Sequence, residues 1–310
     1  MGRATPASEA AWARRAAGGP AAEAEFTLAI ISEVHQFQVI PWASPKAVIL
    51  SGWAHRKLIY RLSRREIEAR YRGSLLGLAW SVLVPLALLG VYTFVFTVVM
   101  PGGKWGVPAG GKGNVALLMF CGMIVFNLFA ECVNRAPWLM LGNVDYIKRV
   151  VFPLEAMTWV VVAVALFNAM VSGLALLVGY VVFLGWPPVT LVAVPLVIIP
   201  LVLVTVGVTW FLSSLGVYVR DVAQFVPVIV MIMMFLHPVF YSVEALPRRL
   251  QPFLQFSPIA VVIEETRAVL FYGRWPNWGL LAGHLILAGY VAWLGCAWFL
   301  KTRKGFADVL

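Results

Sequence analysis

Residues 64–100 read RREIEARYRGSLLGLAWSVLVPLALLGVYTFVFTVVM, a short charged segment that runs without a break into a long apolar one. No residue from Leu75 to Met100 is charged, and about 20 apolar residues at 1.5 Å rise per residue cross a hydrocarbon core of about 30 Å. The stretch predicts a transmembrane helix. Before it, Arg61, Arg64, Arg65, Arg70 and Arg72 lie among Leu62, Ile67 and Tyr71, the mixture of an amphipathic helix resting at the lipid headgroups. Arginines clustered beside a span mark its cytoplasmic end, and the orientation of every later segment follows from that step.

Composition points the same way. Of the 310 residues, 61% are hydrophobic and 12% charged, with a mean hydropathy of +0.86. That is too little polar surface for a soluble globule of this length, so the fold class read from the sequence is an all-α polytopic membrane protein. The net charge of +10 gathers at the ends of apolar runs, where membrane lipid and topology account for it better than nucleic acid does. Cys121, Cys132 and Cys296 lie in or beside apolar runs with no CxxC and no metal-ligand spacing, and read as small buried hydrophobes rather than a metal site.

Residues 1–55 read as a cytoplasmic N-terminal tail. The first 25 are Ala-rich without structural period and read as mobile, and Glu23 and Glu25 occupy the place where a signal peptide needs its apolar core. Pro41, Pro45 and Gly52 break any long helix before the basic segment. Six spans are expected at about 75–100, 115–133, 158–184, 189–215, 225–241 and 278–300. GWPP at 185–188 marks an abrupt turn, and Pro195 and Pro200 are candidate kinks in the fourth span. Within the loop 101–114, GVPAGGKG (106–113) comes close to a phosphate-binding loop, but Gly113 stands where the Mg²⁺-binding hydroxyl belongs, and the loop joins two membrane helices.

Residues 242–277 differ from the rest. Two apolar patches, Ile259–Ile263 and Ala268–Tyr272, are separated by Glu264, Glu265 and Arg267. Charges at mid-span cost about 2.5–3.5 kcal/mol each on insertion scales, which argues against one straight crossing. Two short re-entrant or interfacial helices between the fifth and sixth spans fit better, their charges facing water or a pathway at the outer interface and Ile259, Val262, Val269 and Leu270 facing lipid or protein. In the last span Gly279 and Gly283 have the small-xxx-small spacing of close helix packing.

Lysine and arginine positions test this topology. With both termini in the cytoplasm, eleven precede the first span, Arg135, Lys148 and Arg149 fall in the loop 134–153, Arg220 lies in GVYVRDVAQ (216–224), and Lys301, Arg303 and Lys304 close the chain. The other six, Lys104, Lys112, Arg248, Arg249, Arg267 and Arg274, fall outside, as the positive-inside rule requires.

Chemistry is scarce. No G-x-S-x-G or H-E-x-x-H occurs, and His35, His55, His237 and His284 are scattered. His237 and His284, in or at the ends of spans, read as helix-to-helix hydrogen bonds, and Glu131 as a capped or snorkelling group. Glu264 and Glu265 are adjacent and point to different faces of a helix, which is no arrangement for a carboxylate dyad. Pro85, Leu89, Tyr92 and Phe96 share one helical face by their spacing.

RKLIYRLSRREIEARYRGSLLGLAWSVLVPL (56–86) resembles the entry to the first span in permeases of ABC-2 type polysaccharide exporters, the O-antigen, capsule and teichoic-acid family. IKRVVFPLE (147–155), VRDVAQFVPVIVMIMMFLHPVFYS (219–242) and SPIAVVIEETRAVLFYGRWP (257–276) resemble further segments in the family's order. Arg64-Arg65 and Ser257 depart mildly from the Arg-Asp and Asn common at those places.

The resemblance implies a transport subunit rather than an enzyme. A homodimer would sit in the bacterial cytoplasmic membrane, each copy binding a separate ATPase subunit, with no cofactor on this chain and ATP and Mg on the partner. It implies a transmembrane domain over 56–304 and a cytoplasmic tail at 305–310. The interface helix would span 57–72, with Arg61, Arg64, Arg65, Arg70 and Arg72. A coupling helix at 135–146 would dock on the ATPase, with Arg135, Asn143, Asp145 and Lys148 as coupling residues. An external gate would carry Glu264, Glu265 and Arg267. A path for lipid-linked polysaccharide would be lined by Pro85, Leu89, Tyr92, Phe96, Phe235 and Tyr241. Two alternatives stay open: a drug or small-lipid exporter, which favours a drier, aromatic-poor path, and a glycosyltransferase or phosphatase acting on lipid-linked sugar, which needs paired acids or histidines at one membrane face.

Overall fold

The computed structural model describes residues 46–71, 79–95, 99, 114–147, 152–243 and 246–309. The predicted tail 1–25, most of the loop 101–114, and Arg72, Phe96 and Lys148 lie outside them. Every regular element described is helical: α1 (Lys46–Ala54), α2 (Arg56–Tyr71), α3 (Ala79–Phe94), α4 (Asn114–Leu141), α5 (Val144–Ile147), α6 (Glu155–Leu184), α7 (Val194–Tyr218), α8 (Val222–Leu236), α9 (Gln251–Gln255), α10 (Pro258–Phe271), α11 (Trp278–Thr302) and α12 (Phe306–Val309). Short 3₁₀ helices at Val189–Ala193 and Arg303–Gly305 lead into α7 and α12.

Among the described residues, four helical stretches are long and apolar enough to cross a membrane: Val115–Leu141, Glu155–Leu184, Val189–Tyr218 and Trp278–Val309. α3 and α8 are apolar but have 16 and 15 residues, or about 24 and 22 Å at 1.5 Å per residue. The turn at GWPP is present. Gly185 ends α6 with φ 89°, a conformation open to glycine, and Trp186 beyond it is 91% exposed. Pro195 sits in the first turn of α7, where a missing N–H costs no hydrogen bond.

The packing centre is α7 rather than the first apolar run. It touches α4, α6, α8, α10 and α11, and its Trp210 is fully buried, edge-on to Trp159 of α6. Absent side chains set how closely α7 approaches its neighbours. A Cβ at Gly295 of α11 would collide with the Gly207 carbonyl oxygen, one at Gly207 would lie 2.6 Å from the Val291 carbonyl oxygen, and one at Gly216 would strike the Pro137 carbonyl of α4. Within the described residues of one copy, the Gly279/Gly283 pair meets no neighbouring helix. Nothing described lies within 4 Å of a Cβ at Gly283, and Gly279 meets only Asn277 Oδ1 at 3.6 Å.

Two further expectations are corrected. α4 continues to Leu141, eight residues past the predicted end of the second span. Residues 135–146 are therefore not one separate helix but the end of α4, a turn at Gly142–Asn143, and the start of α5. Residues 250–272 do hold two short helices, α9 and α10, but both apolar patches fall on α10, begun by Pro258 after the extended Ser257. Ile259, Val262, Val269 and Leu270 are buried. So is Arg267, expected to face water or a pathway but only 4% exposed.

Candidate functional site

A cleft of about 670 Å³ lies between α3, α4 and α6, with Arg70 of α2 at one end. Each wall is one helical face. α3 contributes Trp80, Ser81, Val84, Pro85, Leu88 and Tyr92, α4 Ile124, Asn127, Glu131 and Asn134, and α6 Ala165, Asn168, Ala169 and Ser172, all at the three- and four-residue spacings that align side chains on a helix. The apolar sequence dictates the helices. Amides, hydroxyls and one carboxylate interrupt an otherwise apolar lining, and polar groups between apolar helices are functional candidates.

At the Tyr92 end, the phenol hydroxyl donates to Met123 Sδ at 2.8 Å and the ring lies 6.4 Å from that of Phe120. At the other end, Glu131 Oε1 accepts from Arg70 Nη2 at 2.8 Å, and both carboxylate oxygens accept from Asn168 Nδ2, at 3.0 and 2.8 Å. Arg135, one turn along α4, lies 3.9 Å from Glu131 and pairs with Glu66 of α2. The Asn134 Oδ1 atom is buried with no hydrogen-bond partner among the described residues. Charge here cancels pairwise, leaving amide and hydroxyl groups and the faces of Trp80 and Tyr92 as the cleft's recognition chemistry. Glu131, expected to be capped or snorkelling, is instead the junction of three helices.

The structure divides the predicted site residues. Pro85 and Tyr92 line the cleft. Leu89 is buried against α6 and α4, its Cδ2 within 2.8 Å of where a Cβ at Gly179 would stand. Phe235 is 63% exposed on α8 and pairs with Phe240, away from the cleft. Tyr241 donates to the Leu236 carbonyl at 2.6 Å and borders a separate void of about 20 Å³ with Glu264 and Arg267, room for about one water.

Arg267 donates to three main-chain carbonyls, Leu118 at 3.2 Å, Tyr241 at 3.1 Å and Val239 at 2.7 Å, and to Glu264 at 3.0 Å. Glu265 points elsewhere and accepts from the Asn277 N–H at 3.1 Å. On α2, Arg61, Arg64 and Arg65 are exposed, and Arg64 holds Glu68 at 2.7 Å. Asn143 donates its amide to the Leu139 carbonyl at 2.9 Å, closing the end of α4, and Asp145 lies on α5.

His237 donates through Nδ1 to the Met233 carbonyl at 2.8 Å, and its Nε2 meets the Ser257 hydroxyl at 2.8 Å, the inter-element bond expected of it. The three cysteines are buried and unpaired. No group of three His, Cys, Asp or Glu residues able to hold a metal ion occurs among the described residues.

Asn127, Asn134, Asn168, Ser172 and Trp80 were not singled out from the sequence. The signal was available: Asn127, Glu131 and Asn134 recur at i, i+4, i+7, and Asn168 and Ser172 at i, i+4, inside otherwise apolar runs.

The pattern of the family described as ABC-2 type transporter matches residues 57–271, a stretch containing the whole cleft. The O-antigen export system permease protein RfbA of Klebsiella pneumoniae is 25% identical over 261 residues, covering 82% of this chain and 95% of that protein. Its namesake from Myxococcus xanthus is 27% identical over 260 residues, 83% of this chain and 96% of that protein.

Proposed function

The chain belongs to the ABC-2 type transporter family, and on that premise we propose that it is the membrane subunit of an ATP-driven exporter of a lipid-linked polysaccharide, of O-antigen, capsule or teichoic-acid type. Membrane subunits of this family are transport components whose partner is an ATP-binding subunit, so ATP and Mg belong to that partner. The relatives named as O-antigen export permeases match over nearly their full length, which supports this cargo.

The observation that carries the reading is the cleft, whose apolar and aromatic lining is interrupted by Asn127, Glu131, Asn134, Asn168 and Ser172 between helices with apolar outer faces. Amides and hydroxyls exchange hydrogen bonds with sugar hydroxyls, and the faces of Trp80 and Tyr92 give stacking surfaces that do not demand one fixed register. A drier wall would suit a drug or small-lipid exporter better.

In this arrangement α3, α4, α6, α7, α8 and α11 are the six spans of the 56–304 domain, and both termini lie on the cytoplasmic side of the inner membrane. α2 lies along the headgroups as the interface helix, with Arg61, Arg64 and Arg65 toward phosphate and water. The end of α4 and α5, with Arg135, Asn143 and Asp145, meets the ATPase. α9 and α10 dip in from the outer surface between the last two spans, and Glu264, Glu265 and Arg267 belong to that outer gate. Two copies of the chain with two ATPase subunits form the exporter.

Removing the chain from its bacterium tests the proposal. The expected result is loss of polymer from the cell surface and accumulation of carrier-linked polymer inside, both reversed by a plasmid copy. Unchanged surface polymer without the chain would contradict it.

A further inference from the structure

Two acids and two bases join α2 to α4 in reciprocal order. Glu66 and Arg70 are four residues apart on α2, Glu131 and Arg135 four apart on α4, and the pairs cross as Glu66–Arg135 and Arg70–Glu131. A spacing of four places each couple on one helical face, so the helices meet through a charge-neutral square. Asn168 of α6 then fastens Glu131 from the other side. One corner of the square, Arg70–Glu131, is also the end wall of the cleft.

This pair differs from Arg267, another arginine that bonds between elements. The Arg267 side chain is 5% exposed and committed to three main-chain carbonyls. The side chains of Arg70 and Glu131 are 37% and 23% exposed, so water drawn from the cleft can replace either partner as they part. A pair that is wetted on both sides separates at far less cost than a buried one. α4 is a single helix from Asn114 to Leu141, and a displacement at its α5 end therefore reaches Glu131 through continuous backbone.

We infer that Arg70–Glu131 is a latch closing the cleft at its α2 end, released when α2 and α4 shift against each other. The inference rests on the reading of the cleft as part of the transport path, and it makes Arg70, Glu131 and Asn168 positioning residues for transport rather than groups that hold the cargo.

The test uses the chain with its ATPase partner in lipid nanodiscs. Asn127→Cys places a thiol in the cleft wall, and the native cysteines are buried. Its labelling by a bulky, charged maleimide is timed without nucleotide. Arg70→Gln and Glu131→Gln are each expected to speed labelling at least several-fold, whereas Arg70→Lys, which keeps the charge, leaves it near the parent rate.

A reversible lock guards against misfolding of those variants. Replacing Arg70 and Glu131 with cysteines gives up the reach of two long side chains that meet at their tips, so a short bis-methanethiosulfonate rather than a direct disulfide is used to join the two thiols. The cross-linked protein, with residue 127 unchanged, is expected to lose ATP-driven transport and regain it on reduction. Labelling rates unmoved by both Gln variants, or full transport in the cross-linked protein, would overturn the latch. Labelling reads the latch whatever the cargo, so its failure alongside normal polymer export removes the latch alone, and altered labelling without polymer export removes the proposed function alone.

Discussion

Arg267 of α10 donates from Nη2 to the main-chain carbonyl of Val239, 2.7 Å away, in the segment that follows α8. With its bonds to Leu118 and Tyr241, one guanidinium satisfies carbonyls from two separate parts of the chain. Gly122 makes room for it, since a Cβ there would stand 2.7 Å from the same nitrogen. Arg267→Leu removes the donor to the Val239 and Tyr241 carbonyls and to the Glu264 carboxylate. Removing one partner of such a buried set costs about 3–5 kcal/mol, and the expected result is a sharp fall in the yield of folded protein from detergent. Glu265→Ala, which loses only a bond to the Asn277 N–H, is expected to fold normally. Replacing Glu264, Glu265 and Arg267 together therefore tests assembly as much as gating, and Glu264→Gln alone is the cleaner probe of the outer gate.

The α7–α11 seam makes a second prediction. Gly207→Ala and Gly295→Ala each force a methyl group into opposing backbone, and overpacking of this kind costs about 1–3 kcal/mol. Both are expected to lower the thermal midpoint of the purified protein. Gly283→Ala adds a methyl where nothing described lies within 4 Å, and alanine in a helix is favoured over glycine by roughly 1 kcal/mol. The midpoint of that variant is expected to hold or rise.

Most of the helices were legible because each is a long apolar run between breakers, and Gly185, Pro195 and Pro258 do locally what their chemistry dictates. The partnerships were not legible. Glu131 looked like a lone acid because Arg70 and Asn168 are 61 and 37 residues away. Arg135 looked like the end of a span because its neutralising partner, Glu66, lies on another helix. Arg267 was given to water or the pathway on its charge, since carbonyls freed by irregular backbone at 237–243 leave no trace in side-chain sequence. Gly279 and Gly283 had the right spacing, yet spacing names a face without saying what stands opposite it.

The C-terminal segment supplies a third prediction. Phe306 is fully buried, edge-on to Phe299 with centroids 5.6 Å apart and near Tyr218, and Arg303 pairs with Glu155 at 2.8 Å. Phe306→Ala removes about 3–5 kcal/mol by the usual cost of a large buried aromatic. A thermal midpoint several degrees lower is expected, measured with the parent alongside.

Topology can be read by thiol labelling in whole cells. Trp186→Cys, in the tight exposed turn after α6, is expected to react with an impermeant reagent from outside, and Ala307→Cys only after permeabilisation. Ala307 serves better than Gly305, where a Cβ would press on the Tyr218 hydroxyl at 2.7 Å. The reverse pattern would invert the proposed orientation.

Coupling to the ATPase is probed at α5. Asp145→Arg is expected to leave membrane insertion intact while lowering both transport and substrate-stimulated ATP hydrolysis severalfold. Equal coupling in parent and variant would move the docking site away from Asp145.

On the proposed reading, this chain forms the route by which polymer crosses the membrane. The most direct measurement places the purified chain and its ATPase in sealed liposomes with the ATPase outward, adds carrier-linked polysaccharide to the outer leaflet, and follows its protection from an external glycosidase. Protection that grows with ATP, and not with a non-hydrolysable analogue, is the predicted result. Polymer that stays fully digestible while ATP is being hydrolysed would contradict the account.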